Sequence, residues 1–340
     1  MWWMAMKGND PSLFGALLLS MFVHTLLRSQ TLFWTRAGLL TMLPGILVSA
    51  LGGIVFAHAW PRARGRAAGA LFALLLAFGA ALEILNLWRL YTAVYPDAVS
   101  LFGICLTVVI PVLYLRRVSA VAQTANVVLG LMIAAGLVLL LSVSGRLRVV
   151  NLQTDVTDAA SLQTAFSAQC VLYPELLLPA LWPDSAKRGR HTILRLAALG
   201  GLFNVGVHLL LELFFGAAMP EALNPVHQAA RGGNLSIFDR LEWLQLIVWT
   251  MAVSVKLGLY FYAGTRLTGG RGINENNLNG LPHFVACGAA LVALCAVLQR
   301  YLDLSAAARL QNRAVWGFAA LVAVTGGIRW LLGKRAGPAS

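Results

Sequence analysis

Apolar runs of about 18 residues or more recur along the whole chain, as in "LFALLLAFGAALEILNLW" from Leu71 and "NVVLGLMIAAGLVLLLSV" from Asn126. Each is long enough to cross roughly 30 Å of hydrocarbon as a helix. No soluble core needs that much apolar sequence in 340 residues. The charged share agrees: 11% of residues, against about 25% in soluble domains. The chain reads as an all-α polytopic membrane protein.

The net charge of +13 comes from basic residues in short loops between apolar runs, which is what a positive-inside bias produces. Nucleic acid is not an expected partner, because no basic stretch interleaved with aromatic residues is present. Cys105, Cys170, Cys287 and Cys295 all fall within apolar runs and show no CxxC spacing. They read as small buried hydrophobes, with neither a disulfide nor a metal site implied. The opening "MWWMAMKGNDPSLFGALLLS" has no basic region followed by a small-residue cleavage site. It reads as a cytosolic lead-in to a retained first helix.

Hydropathy divides the chain into about ten transmembrane helices, roughly at 13–33, 38–60, 67–93, 98–115, 119–143, 162–182, 193–218, 241–265, 281–300 and 315–333. The loops that hold Arg62, Arg64, Arg116, Arg117, Lys187 and Arg188 carry the larger basic set, and Asp97, Asp155, Asp158, Glu221 and Asp303 collect on the other side. Both termini are therefore expected in the cytosol. Ten spans divide into five plus five, the inverted-repeat plan of many transporters. One transmembrane domain over 1–340 is expected, with a first repeat at roughly 13–143, a second at roughly 162–300 and a further helix at roughly 315–333. In such folds the first helix of each half is discontinuous and forms the ligand site. Here the first span is apolar only from about Phe14 to Leu27. The sixth, "AFSAQCVLYPELLLPALWP", carries Pro174 and Pro179 with Glu175 between them. Proline removes a backbone donor, so a break is expected near Tyr173–Pro174.

Ionisable residues inside spans are costly and mark candidate sites. Glu175 sits at the expected break, with Gln169, Cys170 and Tyr173 ahead of it on the same helix. Free backbone groups, a ligand ammonium or protonation could each compensate its charge. Glu83 has Arg89 six residues on, off its helical face, so a pair with another helix is expected. His24 stands alone on an apolar helix, where a satisfied buried histidine is the ordinary alternative to a ligand contact. Asn204, His208 and Glu212 are spaced four apart and stack on one face. They form either an interhelical hydrogen-bond seam or a proton or ion relay. No metal site is expected, since no second ligand pair of matching spacing exists. Tryptophans 34, 60, 182, 243 and 330 fall near span ends, as an aromatic belt would. There is no nucleophile–base constellation, no phosphate loop ("GGRG" at 269–272 lacks a following GK[ST]) and no cofactor motif. An enzyme is not expected, and no catalytic residue is assigned.

The stretch "NPVHQAARGGNLSIFDRLEWLQLIVWTMAVSVKLGLYFYAG" resembles the spore germination permease family, the B subunits of nutrient germinant receptors. The likeness rests on a proline-containing loop (Pro225, Arg231) that leads through Arg240, Leu241 and Glu242 into an apolar helix with Trp249 and Lys256. "NLWRLYTAVYP", "RRVSAVAQTANVVLGLMI" and "YPELLLPALWP" fit the same pattern. The resemblance implies the amino acid–polyamine–organocation superfamily and a leucine-transporter-like 5+5 inverted repeat. It further implies a place in the spore inner membrane and, as partners, an A-type membrane subunit and a C-type lipoprotein. The ligand would be a small, amino acid-like nutrient, held by His24, Glu83, Gln169, Cys170, Tyr173, Pro174 and Glu175. Lys256, Arg240, Glu242, His208 and Glu212 would serve coupling or structure. One departure stands out: no glycine lies between Gly15 and Gly38, where relatives of this fold unwind the first helix.

Two other functions share these features. A proton-coupled amino-acid transporter would use Glu175, Glu212 or Lys256, and a scaffold for partner subunits would bind no ligand. Lys256 lies 14 residues beyond Glu242, roughly 21 Å at 1.5 Å per residue. In sodium-coupled members of this fold the eighth and first helices hold a cation. The Lys256 ammonium is expected either to take that place and tie span eight to span one, or to snorkel toward the cytosolic headgroups.

Overall fold

The computed structural model describes residues 13–27, 36–95, 99–115, 117–152, 158–181, 185–221, 224–232, 241–268 and 281–335. Its regular elements are all helical: α1 (Phe14–Leu27), α2 (Arg36–Ala63), α3 (Arg66–Val94), α4 (Leu101–Tyr114), α5 (Val118–Val143), α6 (Ala159–Gln169), α7 (Pro174–Leu177), α8 (Ser185–Phe215), α9 (Pro225–Gly232), α10 (Leu241–Leu267), α11 (Leu281–Tyr301) and α12 (Leu304–Arg335).

Among the described residues, seven helices are long and apolar enough to cross a membrane: α2, α3, α5, α8, α10, α11 and α12. This is fewer than the ten spans expected from hydropathy, for two physical reasons. α1 and α4 each have 14 residues, only about 21 Å of helix. The sixth span is no single helix but two short pieces, α6 and α7, with a 3-10 turn over Leu178–Leu181. The last helix also begins earlier than 315, because Asp303 caps it. The Asp303 carboxylate accepts from the Ala306 N–H at 3.1 Å and from the Ser305 hydroxyl.

The long helices turn apolar side chains outward. On α2, Leu43, Leu47, Leu51 and Val55 are each more than half exposed and stand four residues apart, a stripe facing hydrocarbon rather than water. α10 is the opposite case: 72% of its apolar window is buried, against 22% for α5. It packs against α1, α3, α4, α5 and α9 and forms the centre of the bundle. Phe56, Trp60, Phe72 and Phe318 lock α2, α3 and α12 together, with ring centroids 5.3–6.3 Å apart.

The break between α6 and α7 determines what the core can hold. Pro174 opens α7 at a position where no N–H is needed. The loosened backbone before it finds partners in neighbouring helices. The Cys170 carbonyl accepts from Trp316 Nε1 at 3.0 Å and Asn312 Nδ2 at 3.3 Å. The Val171 carbonyl accepts from the Ser49 hydroxyl at 2.5 Å. The Leu172 N–H donates to Asn312 Oδ1 at 3.1 Å. Gly45 of α2 lies so close that a Cβ there would stand 2.7 Å from the Gln169 carbonyl oxygen. Two helices thus satisfy the break, as hydrocarbon requires of irregular backbone.

Candidate functional site: a buried lysine between two glutamates

The break brings Glu175, the second residue of α7, to the middle of the bundle, where it is fully buried. Glu83 lies within α3 and is equally inaccessible. Lys256 extends from α10 between them with 1% of its side chain exposed. Its Nζ donates to Glu83 Oε1 at 2.9 Å and to the Ser20 carbonyl at 3.2 Å, and lies 3.1 Å from Glu175 Oε1. One ammonium therefore ties four helices: α1, α3, α7 and α10. Burial at this depth rules out snorkelling, because the amine points into the core and not along a surface.

Glu175 Oε1 also accepts from the Tyr260 hydroxyl at 2.7 Å and the Ser20 hydroxyl at 2.5 Å. Its other oxygen, Oε2, has no hydrogen-bond partner among the described residues. His24 brings Nδ1 to 3.6 Å from Glu83 Oε1 and sets its ring edge-on to Tyr173, with centroids 4.8 Å apart. The Tyr173 hydroxyl accepts from Asn204 Nδ2 at 2.9 Å, and Asn204 Oδ1 accepts from the Thr25 hydroxyl. Burial makes each of these bonds consequential, since an unpaired charge here would cost several kcal/mol. Three formal charges, two negative and one positive, share this volume, and His24 is the adjacent group able to carry a second positive charge.

The structure thus brings His24, Glu83, Tyr173, Glu175 and Lys256 into one cluster. Lys256 on α10 supplies a counter-charge for Glu175. Glu83 pairs across helices with that same lysine, while Arg89 points to Asp303 at 3.9 Å in an exposed contact, which contributes little. Gln169 and Cys170 lie at the α6 end of the break: Gln169 is buried with Nε2 unpaired among the described residues, and Cys170 is engaged through its carbonyl. Asn204 of the predicted seam reaches the cluster through Tyr173. His208 and Glu212, also buried, follow one and two turns later on α8. Arg240 and the side chain of Glu242 lie outside the described residues. No group of three or more His, Cys, Asp or Glu residues able to hold a metal occurs among the described residues.

Ser20 and Tyr260 are cluster members that the sequence did not single out. Each stands four residues from one that it did, Ser20 before His24 and Tyr260 after Lys256. That helical spacing was the available signal.

In comparisons with known proteins, no family model matches the chain and no curated protein matches it.

Proposed function

We propose that the chain is the membrane subunit of a spore germinant receptor, which binds a small nutrient of amino acid-like chemistry and passes a conformational change to partner subunits. The observation that carries this reading is the bridge from Lys256 to the Ser20 carbonyl and to the carboxylates of Glu83 and Glu175. An ammonium between the eighth and first spans replaces the cation that sodium-coupled members of the leucine-transporter-like fold hold there. A fixed positive charge cannot leave with a substrate, so it suits a sensor better than an ion-driven pump. The ten-helix, 5+5 organisation belongs to the same proposal. α1 and α4 would be short spans, α6 with α7 a broken one, and both termini would lie in the cytosol.

Signalling requires that the ligand bind one conformation more tightly than another. The elements able to differ are those the lysine ties together, since moving α7 relative to α10 breaks the Glu175 contact. A- and C-type subunits would read that movement. Deleting the gene in a strain without a paralogue should abolish germination by at least one nutrient, and complementation by Lys256→Met at normal protein level should not restore it. Unchanged germination in the deletion strain would sink the proposal.

A proton-coupled amino-acid transporter is the second reading. Glu175 Oε2, unpartnered among the described residues, offers a carboxylate oxygen that could take a proton. Proteoliposomes driven by a pH gradient would take up an amino acid if this second reading holds, and would show no uptake across a broad panel if it does not.

A further inference from the structure

α2 and α12 pack side by side and run in the same direction. A Cβ on Gly52 would stand 2.8 Å from the Trp316 ring, and a Cβ on Gly326 would stand 2.8 Å from the Ala59 carbonyl oxygen. The second contact lies further along both helices than the first, so α2 and α12 finish at the same end of the bundle. Three residues beyond it, each helix presents an exposed arginine, Arg62 on α2 and Arg329 on α12.

Both guanidinium groups are anchored to backbone rather than to carboxylates. Arg329 Nη1 donates to the Arg62 carbonyl at 2.8 Å, and Arg62 Nη1 donates to the His58 carbonyl at 3.0 Å. These two acceptors are four residues apart on α2, about 6 Å along the axis and roughly 40° around it. Two positive groups are thus held as neighbours on one face, and neither joins an ion pair among the described residues. Capping the last carbonyls of α2 engages one nitrogen of Arg329, and a guanidinium carries several further N–H donors. Arg64 and Arg66, both exposed, follow directly after α2 and at the start of α3. Asp303, the carboxylate that caps α12, stands at the opposite end of that helix.

The surface leading to the pair faces hydrocarbon. Leu51 and Val55 are more than half exposed on α2, and Arg62, seven residues after Val55, shares their face within roughly 20°. On α12, Leu321, Val324 and Ile328 are more than half exposed and lead up to Arg329, and Leu331 continues beyond it. Paired positive charge at the edge of an apolar surface matches an amphiphile that joins an anion to acyl chains.

We propose that Arg62 and Arg329 form a binding site for the phosphate of an anionic membrane phospholipid, of the phosphatidylglycerol class, with its acyl chains along the exposed faces of α2 and α12. Each guanidinium donates charge-assisted hydrogen bonds to the phosphate oxygens. Choline and ethanolamine headgroups are disfavoured, because their own ammonium would lie at an end of the bundle that already carries Arg64 and Arg66.

The test measures the lipid that the full chain retains. The protein is reconstituted in vesicles of phosphatidylglycerol and phosphatidylcholine in equal parts with identical acyl chains, re-extracted in detergent, and the co-purified phospholipid is quantified by mass spectrometry. Wild type should retain phosphatidylglycerol over phosphatidylcholine, and Arg62→Gln/Arg329→Gln should lower that ratio about ten-fold, the loss expected when charge-assisted bonds to one phosphate are removed. Glutamine keeps a donor for each carbonyl; should the double variant not fold, each single variant should lower the ratio by about three-fold. The control is Arg190→Gln/Arg195→Gln on α8, which removes as much charge. Gly53, which meets Ile193 of α8, lies roughly 180° around α2 from Arg62, so this control should keep the wild-type ratio. An equal ratio in wild type and the Arg62/Arg329 variants, or an equal fall in the control, would overturn the proposal and leave only general attraction to a basic surface. Loss of the retained lipid in millimolar inorganic phosphate would reassign the pair to a soluble phosphate and overturn the lipid assignment.

Discussion

Replacing Lys256 with methionine keeps the length of the side chain and removes its charge. In the wild type the ammonium stands 2.9 Å from Glu83 Oε1 and 3.1 Å from Glu175 Oε1. At an effective dielectric constant of about 20, each pair is worth roughly 5.5 kcal/mol of Coulomb attraction, about 11 kcal/mol in all. Desolvation of three buried ions offsets much of that. The net cost of removing one partner from such a pair is about 3–5 kcal/mol. Methionine also leaves two carboxylates facing each other, which places the loss at the upper end.

At about 2 °C per kcal/mol for a chain of this size, Lys256→Met should melt roughly 6–10 °C lower. The assay is thermal unfolding of the full chain in detergent, followed by intrinsic tryptophan fluorescence. Trp249, two turns from Lys256 on α10 and 7% exposed, reports on the affected helix. The triple variant Lys256→Met/Glu83→Gln/Glu175→Gln removes all three charges and should recover most of the loss, because a neutral buried network lacks the uncompensated ion. A shift of under about 1 °C for Lys256→Met, or a triple variant less stable than the single one, would refute the reasoning.

Three further outcomes follow from the same contacts. Gly45→Ala places a methyl 2.7 Å from the backbone oxygen of Gln169, and since backbone cannot yield as a side chain can, about 1–3 kcal/mol of destabilisation is expected; wild-type thermal stability would refute the close packing of α2 on the break. Asn312→Leu leaves the Leu172 N–H without its acceptor and the Cys170 carbonyl with Trp316 alone, for an expected loss of about 1–3 kcal/mol, and an unchanged denaturation midpoint would show that the break does not depend on α12. At the N-termini of α6 and α12, the Ser161 hydroxyl and N–H hold the Asp158 carboxyl below its usual range, and the Ser305 hydroxyl and Ala306 N–H do the same for Asp303. Both folded-state values are depressed, so the stabilisation is complete above the unfolded value of about 3.9 and is lost as pH falls through the folded one. Asp158→Asn and Asp303→Asn should flatten the acid limb of a melting-temperature profile, and identical acid limbs would argue against capping by either carboxylate.

Much of this site was legible in the sequence because hydrocarbon is intolerant of charge. Glu83, Glu175 and Lys256 each stood out from apolar neighbours, and proline at 174 marked the helix break. Which residue met which was not legible. Lys256 reaches Ser20 across 236 positions, and a period of 3.6 residues says which face a side chain occupies but not which helix faces it. Seven described helices have membrane length where hydropathy suggests about ten spans, for a related reason. Hydropathy averages over a window, so the apolar stretches at α1, α4 and α6–α7 score as spans although, among the described residues, the helices there have 14 residues or fewer. The partners of the break (Ser49, Asn312 and Trp316) are ordinary residues whose role exists only because α2 and α12 pack beside α6.

α1 bears most directly on mechanism. It is continuously helical from Phe14 to Leu27, and over that length its backbone N–H groups beyond the first turn are used within the helix. A ligand carboxylate cannot be gripped there by exposed N–H groups at an unwound turn, the usual way a discontinuous helix holds an anion. The missing glycines between Gly15 and Gly38 are consistent with that geometry. The polar contacts α1 offers the cluster are instead His24, which faces Glu83, and Ser20, whose carbonyl accepts from Lys256 and whose hydroxyl donates to Glu175. Under the proposed receptor function, an amino acid-like nutrient entering this cluster would have to compete for groups the protein already pairs, its ammonium for Glu83 and Glu175 and its carboxylate for Lys256. Binding would then exchange one set of ion pairs for another and release α7 from α10. Ser20→Ala tests that exchange. It keeps the carbonyl and removes the hydroxyl, so it should weaken the hold on Glu175 by about 1.5–3 kcal/mol and lower the nutrient concentration needed for the response. A dose–response curve unmoved by Ser20→Ala would show that release of Glu175 is not the step a ligand drives.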